Sequence, residues 1–187
     1  MSASLLLLLS MAFPSAAASA ETAPRWALDA GGGIAWQVDA AQPAAHEDGI
    51  EMSGRRVSFI LKYGIDKDSL LTLNRQLVWP MLRTVPNNTH ASLSYTFANS
   101  VQPEIKIDGK GMDAVKPSRF LLEGLLTVSG KTESGMEIQR TLFPSTTQPV
   151  VLENFVLTNS TDKKHKVEVK FDDLERRTPE KKGVEGE

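Results

Sequence analysis

The chain has 187 residues, 21 basic and 23 acidic side chains, a formal net charge of −2 and no cysteine. Balanced charge with no basic stripe argues against nucleic acid or an anionic membrane surface as partner. The lack of cysteine excludes disulfides and thiolate metal sites, so the fold is held by packing alone.

The N-terminus carries an apolar run, Leu5 to Leu9, followed by an alanine-rich stretch that ends Ala18-Ser19-Ala20. That order is the layout of a secretory signal peptide, here residues 1–20 with the cut after Ala20. No Lys or Arg precedes Leu5, and a buried N-terminal helix is the competing reading. The run is shorter than the roughly 20 residues a membrane span takes. The expectation is an exported protein, periplasmic or extracellular, without a membrane span. Residues 21–173 then make one domain.

Along that domain the signals are those of strands and turns. Asp29 to Gly33 reads as a turn and Ile34 to Val38 as a strand. Gly54 separates two extended segments, Gly49 to Ser53 and Arg55 to Tyr63; in the second, Val57, Phe59 and Leu61 alternate with Arg56, Ser58, Ile60 and Lys62. Period-2 alternation puts one face of a strand in a core. Gly64 to Asp68 is a turn, and Leu71 to Trp79 is a strand expected to stop at Pro80, which has no ladder donor. Met81 to His90 is irregular, and Ala91 to Phe97 alternates again. Glu104 to Gly109 predicts a short strand running into an Asp-Gly turn. Phe120 to Ser129 and Met136 to Phe143 read as two strands of one hairpin around Gly130 to Gly135. Val150 to Thr158 and Lys166 to Phe171 read as a second pair around Asn159 to Asp162. About ten short strands with no amphipathic helix between them predict an all-β, antiparallel, supersandwich-like β-sandwich, a closed barrel being the alternative. Residues 174–187 are too polar to offset their ordering entropy and read as an irregular polar tail or linker.

Chemistry-bearing motifs are sparse. Ser129-Gly130-Lys131-Thr132 resembles the end of a phosphate-binding loop, but Leu125 stands where the pattern needs a glycine, and the stretch sits in a hairpin. His46, Glu47 and Asp48 are able to bind metal or move protons, yet neighbours in an extended chain face opposite sides, so a polar loop without a metal is the expectation. No Gly-x-Ser-x-Gly elbow exists, and His46, His90 and His165 lack a legible Ser and Asp set. Catalytic residues, metal ions and cofactors are therefore not expected. Two Asn-x-Ser/Thr sequons begin at Asn87 and Asn159 and matter only in a glycosylating host.

The segment from Leu77 to Ala91 is the most informative. A strand ending at Trp79 feeds a stretch with Arg83, Asn87, Asn88 and His90. Aromatic faces stack on sugar C–H surfaces while amides and guanidinium forks meet hydroxyls, so these residues are candidate sugar contacts. On the residues alone a core role for Trp79 and turn bonds for the asparagines take precedence.

This segment, with His46 to Gly54 and Arg140 to Thr146, resembles the N-terminal β-sandwich of bacterial six-hairpin glycosidases, the α-L-rhamnosidase-like or glycogen-debranching-like glycoside hydrolases. The likeness covers roughly Trp26 to Asp173. It implies a sandwich preceding an (α/α)6 helical barrel that carries the catalytic carboxylates. The sequence ends at Glu187 with no helical hairpins, so the expected role is a non-catalytic accessory domain, inactive without that barrel on a continued or separate chain. In that role His46, Glu47 and Asp48, with Asn87, Asn88 and His90, are lent to a carbohydrate cleft. The alternatives are a stand-alone carbohydrate-binding module and a structural remnant with no ligand.

Overall fold

The computed structural model describes residues 24–41, 44–81, 91–97, 103–111, 115–173 and 175. The expected signal peptide (residues 1–20) lies outside them, as does the polar tail apart from Glu175. Strands β1 (Trp26–Leu28), β2 (Ile34–Gln37), β9 (Lys116–Leu122), β10 (Leu126–Lys131), β11 (Glu137–Pro144) and β12 (Val151–Thr158) form a six-stranded sheet in the order β1-β2-β9-β10-β11-β12. A four-stranded sheet runs β3 (His46–Ser53), β4 (Ser58–Ile65), β5 (Leu71–Met81) and β6 (Ala91–Phe97). A third, small sheet orders β13 (Val167–Lys170), β7 (Glu104–Ile107) and β8 (Lys110–Gly111). Every pairing is antiparallel, and none of the sheets closes on itself. The fold is all-β with a sandwich arrangement, and no helix occurs among the described residues.

The two larger sheets meet through one core. Trp36, Phe120, Leu126, Val128 and Leu142 come from the six-stranded sheet; Met52, Phe59, Leu61, Tyr63, Ile65 and Leu73 come from the four-stranded one. The alternation read in β4 decides this: Phe59, Leu61 and Tyr63 point inward and are buried, while Ser58, Ile60 and Lys62 point away. At the core centre Trp36 stacks on Phe120 with centroids 4.7 Å apart, and Tyr63 tilts against Phe120 at 5.6 Å. Gly54, at the β3–β4 turn, allows a close approach: a Cβ there would sit 2.0 Å from the Ser145 carbonyl oxygen, just past the end of β11.

Several turns follow the sequence, while others correct it. Asp108 and Gly109 both have positive φ (51° and 79°), the geometry an Asp-Gly hairpin turn requires. Phe120 to Ser129, read as one strand, is instead the hairpin β9–β10, folded at Glu123 to Leu125 with Gly124 at φ 73° and Leu122 opposite Leu126. Strand β5 does not stop at Trp79 but continues through Pro80, opposite Ser92. Pairing with β4 ends at Val78, so beyond it β5 has a neighbour on one side only among the described residues, the edge-like setting in which proline is tolerated. Strand β13 does not pair with β12. It pairs with β7, because Asp108 accepts bonds from His165 Nδ1 (2.6 Å) and the Lys166 amide (2.8 Å) and so leads the chain onto β7. Those two bonds, the one from His165 first, hold the Asp108 carboxyl below its usual range.

Candidate functional site

The sequence-predicted residues separate into groups that the fold keeps apart. His46, Glu47 and Asp48 lie on strand β3, not in a polar loop, because they pair residue for residue with Ile65, Gly64 and Tyr63 of β4. A Cβ on Gly64 would meet the His46 carbonyl oxygen at 1.9 Å, so only glycine lets β4 run this close to His46. Alternation then sends Glu47 to one face, where it is exposed and 3.7 Å from Lys62 Nζ. His46 and Asp48 share the other face and are half-buried.

On that face the side chains are engaged with one another. Asp48 Oδ2 accepts from Trp26 Nε1 at 3.0 Å, and Asp48 Oδ1 lies 2.8 Å from His46 Nε2. Arg25 Nη1 is 2.6 Å from the same His46 nitrogen. One ring nitrogen serves one of these partners at a time: it donates to Asp48 when it carries the proton and accepts from Arg25 when it does not. The His46 ring stands edge-on to Trp36 at 5.8 Å, and the Arg25 guanidinium lies over Trp36 at 5.2 Å. These contacts tie strand β1 and the segment before it to both large sheets. Among the described residues no group of three or more His, Asp or Glu is placed to hold a metal ion.

Tyr63, opposite Asp48 in the register, sits beneath this cluster, and its phenol is pushed up to about 12, first by burial and second by the Asp48 charge. A raised phenol stabilises the fold fully below the unfolded-chain value near 10.0. As pH climbs from there toward 12, the unfolded chain ionises first and that contribution, on the order of 2 kcal/mol, is lost. A spectrophotometric titration should therefore show one tyrosine ionising near 12 in the native protein. The step should move to about 10 in urea and be missing from the Tyr63→Phe variant.

Trp79 lies at the other end of the four-stranded sheet. His46 is level with Ile65 and Leu71, whereas Trp79 is eight residues farther along β5, roughly 27 Å away at strand rise. Its Nε1 donates to the Pro149 carbonyl at 3.1 Å, and its half-buried ring meets Tyr95 edge-on at 6.3 Å. Trp79 thus straps β5 to the segment leading into β12. Arg83, Asn87, Asn88 and His90 lie outside the described residues. The structure thus brings His46 and Asp48 together and keeps Glu47 and Trp79 apart from them.

It also brings together another set. At the margin where β5, β6, β7, β12 and β13 converge there is an open pocket of about 660 Å³, lined by Phe59, Leu77, Phe97, Ile105, Phe155 and others, with Arg75 and Glu153 as its charged members. Glu153 of β12 is gripped by two guanidinium groups. Arg75 of β5 donates through Nε to Oε1 and through Nη2 to Oε2 at 3.3 Å. Arg140 of β11 donates to Oε2 through Nε at 3.2 Å and Nη2 at 2.7 Å. Arg75 is 4 % exposed and Arg140 7 %. The Arg140 guanidinium also lies over the Phe155 ring at 4.6 Å, and burial pulls its pKa below the ordinary value, with Glu153 opposing that shift. Two buried positive charges share one carboxylate, and Arg75 Nη1 has no hydrogen-bond partner among the described residues.

Sequence reasoning missed this trio, although a signal was present. Arg75 stands in the register of Leu71, Leu73 and Leu77; Arg140 in that of Met136, Ile138 and Leu142; Glu153 in that of Val151, Phe155 and Leu157. A charge at an inward position of an alternating strand marks either an error in strand assignment or a buried polar site. Three such charges, of both signs, point to the second.

No protein-family model, curated protein or solved structure matches this chain.

Proposed function

We propose that this chain is an exported, non-catalytic accessory sandwich of a six-hairpin glycoside hydrolase, acting in carbohydrate degradation against an (α/α)6 barrel. The observation that carries the reading is the solvent face of β12. Leu152 and Val156 point away from the core and are each 43 % exposed, and Val150 just before the strand is exposed to the same degree. Apolar side chains grouped on the outer face of a sandwich suit contact with a second domain. The resemblance of the segments around His46, Trp79 and Arg140 supplies the kind of domain. Among the described residues no helix is long and apolar enough to cross a membrane.

The test mixes the purified chain with the helical barrel of a six-hairpin glycosidase whose own sandwich has been deleted. A stable complex on size-exclusion chromatography is expected, lost in the Leu152→Glu/Val156→Glu double variant. The chain alone should not hydrolyse aryl-glycosides. Robust turnover that disappears on changing Glu47 or Asp48 overturns the reading. A second reading, a stand-alone carbohydrate-binding module, draws on Trp79 and Tyr95, two partly exposed rings side by side. Calorimetric titration with plant and host glycans decides it: heat lost in Trp79→Ala favours the module, and flat titrations remove it.

A further inference from the structure

We propose that the pocket at the β5–β12 margin binds a small monocarboxylate with an apolar body, its carboxylate completing the pairing of Arg75. Charge and wall chemistry together point to this class. Arg75 and Arg140 both bring a positive charge to the Glu153 carboxylate, and all three side chains are largely out of water. A buried guanidinium nitrogen left without an acceptor is costly, and an anion placed against it relieves that cost. Arg75 lines the pocket, and its Nη1 is the buried donor without an acceptor. A guanidinium edge is shaped for a carboxylate, and the resulting bonds are stronger than those to a neutral oxygen.

The remaining walls decide the body of the ligand. Phe59, Leu77, Phe97, Ile105, Phe155 and Leu157 offer carbon surface rather than hydroxyl partners. A sugar there would leave most of its hydroxyls unpaired, whereas an alkyl chain or aromatic ring would be desolvated favourably at about 25 cal/mol per Å². About 660 Å³ lies within the range typical of small-molecule sites. Phe171, 76 % exposed, stands at the rim with Val169, so the apolar lining extends to the mouth. This site faces the interior margin of the sandwich, whereas Leu152 and Val156 face outward, so the inference does not depend on the partner-domain reading.

The experiment titrates the intact protein with decanoate by calorimetry and follows the melting temperature alongside. Decanol supplies the tail without the charge; acetate and chloride supply charge without the tail. Saturable binding of decanoate, with a raised melting temperature and much weaker responses to the other three probes, is expected. Arg75→Met leaves Glu153 paired with Arg140 and should weaken decanoate binding roughly tenfold or more, with urea denaturation checking that the variant is folded. Phe171→Ala, at an exposed position, should weaken it less and without loss of stability. Absent decanoate binding, binding unchanged in Arg75→Met, or equal responses to decanol would each overturn the proposal. So would equal responses to acetate and chloride, which would mean an inorganic-anion site only. A dimer indifferent to decanoate but dissociated by Arg75→Met would assign the pocket to a second copy of the chain, and the ligand proposal would fall.

Discussion

Glu153→Ala is expected to lower the unfolding free energy by about 3–5 kcal/mol, because it leaves two guanidinium groups buried with no carboxylate between them. Arg75 reaches Glu153 from the four-stranded sheet and Arg140 from the six-stranded one, so the single carboxylate joins the two layers. Urea denaturation followed by tryptophan fluorescence measures the effect. A domain of this size holds together by roughly 5–15 kcal/mol, so the variant should lose a large fraction of its stability. The informative contrast is the triple variant Arg75→Met/Glu153→Leu/Arg140→Met. Removing every charge together trades an ion network for apolar packing and is expected to be close to neutral, or stabilising. A loss below about 1 kcal/mol for Glu153→Ala would show that solvent reaches the trio freely.

Phe120→Ala is the second large loss, also about 3–5 kcal/mol. The ring is 0 % exposed, stacks on Trp36 at an interplanar angle of 16° and contacts Tyr63 of the opposite sheet. Its removal takes away both the transfer free energy of the ring and the contacts of two other aromatic side chains, which cannot close the gap without leaving their rotamers. Leu28→Ala is the matched control. That side chain is 90 % exposed, and its truncation should change stability by no more than about 0.5 kcal/mol. Equal effects at the two positions would contradict the packing described here.

How much of this was legible beforehand depends on the physical signal each element gives. Strands β4 and β11 alternate apolar and polar side chains because each has one face in the core, and the sequence places them, and β6 with them, to within a few residues. The β9–β10 turn was invisible to hydropathy because Leu121, Leu122, Leu125 and Leu126 keep the apolar run going across it; Gly124 alone marks the reversal. The partner of β13 was misassigned because sequence neighbours usually pair, and the contact that overrides that tendency, between Asp108 and His165, spans 57 positions. Strand β1, only three residues long, is too short to show a period.

For the candidate site the pattern was the reverse. Residues that look chemical in a linear reading proved to be engaged in architecture: Asp48 bonds Trp26, and Trp79 bonds the backbone at Pro149. Glu153, which drew no notice, sits at the centre of the most strongly charged buried contact. The reason lies in what a sequence encodes. Residue type is explicit, but the meeting of β5, β11 and β12 side chains depends on how two sheets face each other, and no local pattern fixes that.

The placement of β12 at the end of the six-stranded sheet has one more consequence. Its other side pairs with no strand among the described residues, so a row of main-chain donors and acceptors is open to any extended peptide. Its eight residues, Val-Leu-Glu-Asn-Phe-Val-Leu-Thr, contain no proline and a single charge. That inward-turned carboxylate guards the border of the sheet, since a foreign strand that dragged it out of register would strand it away from both arginines. Glu153→Leu alone would lose the guard while keeping the open border, so fibril growth would add to the unfolding that two uncompensated guanidinium groups already cause.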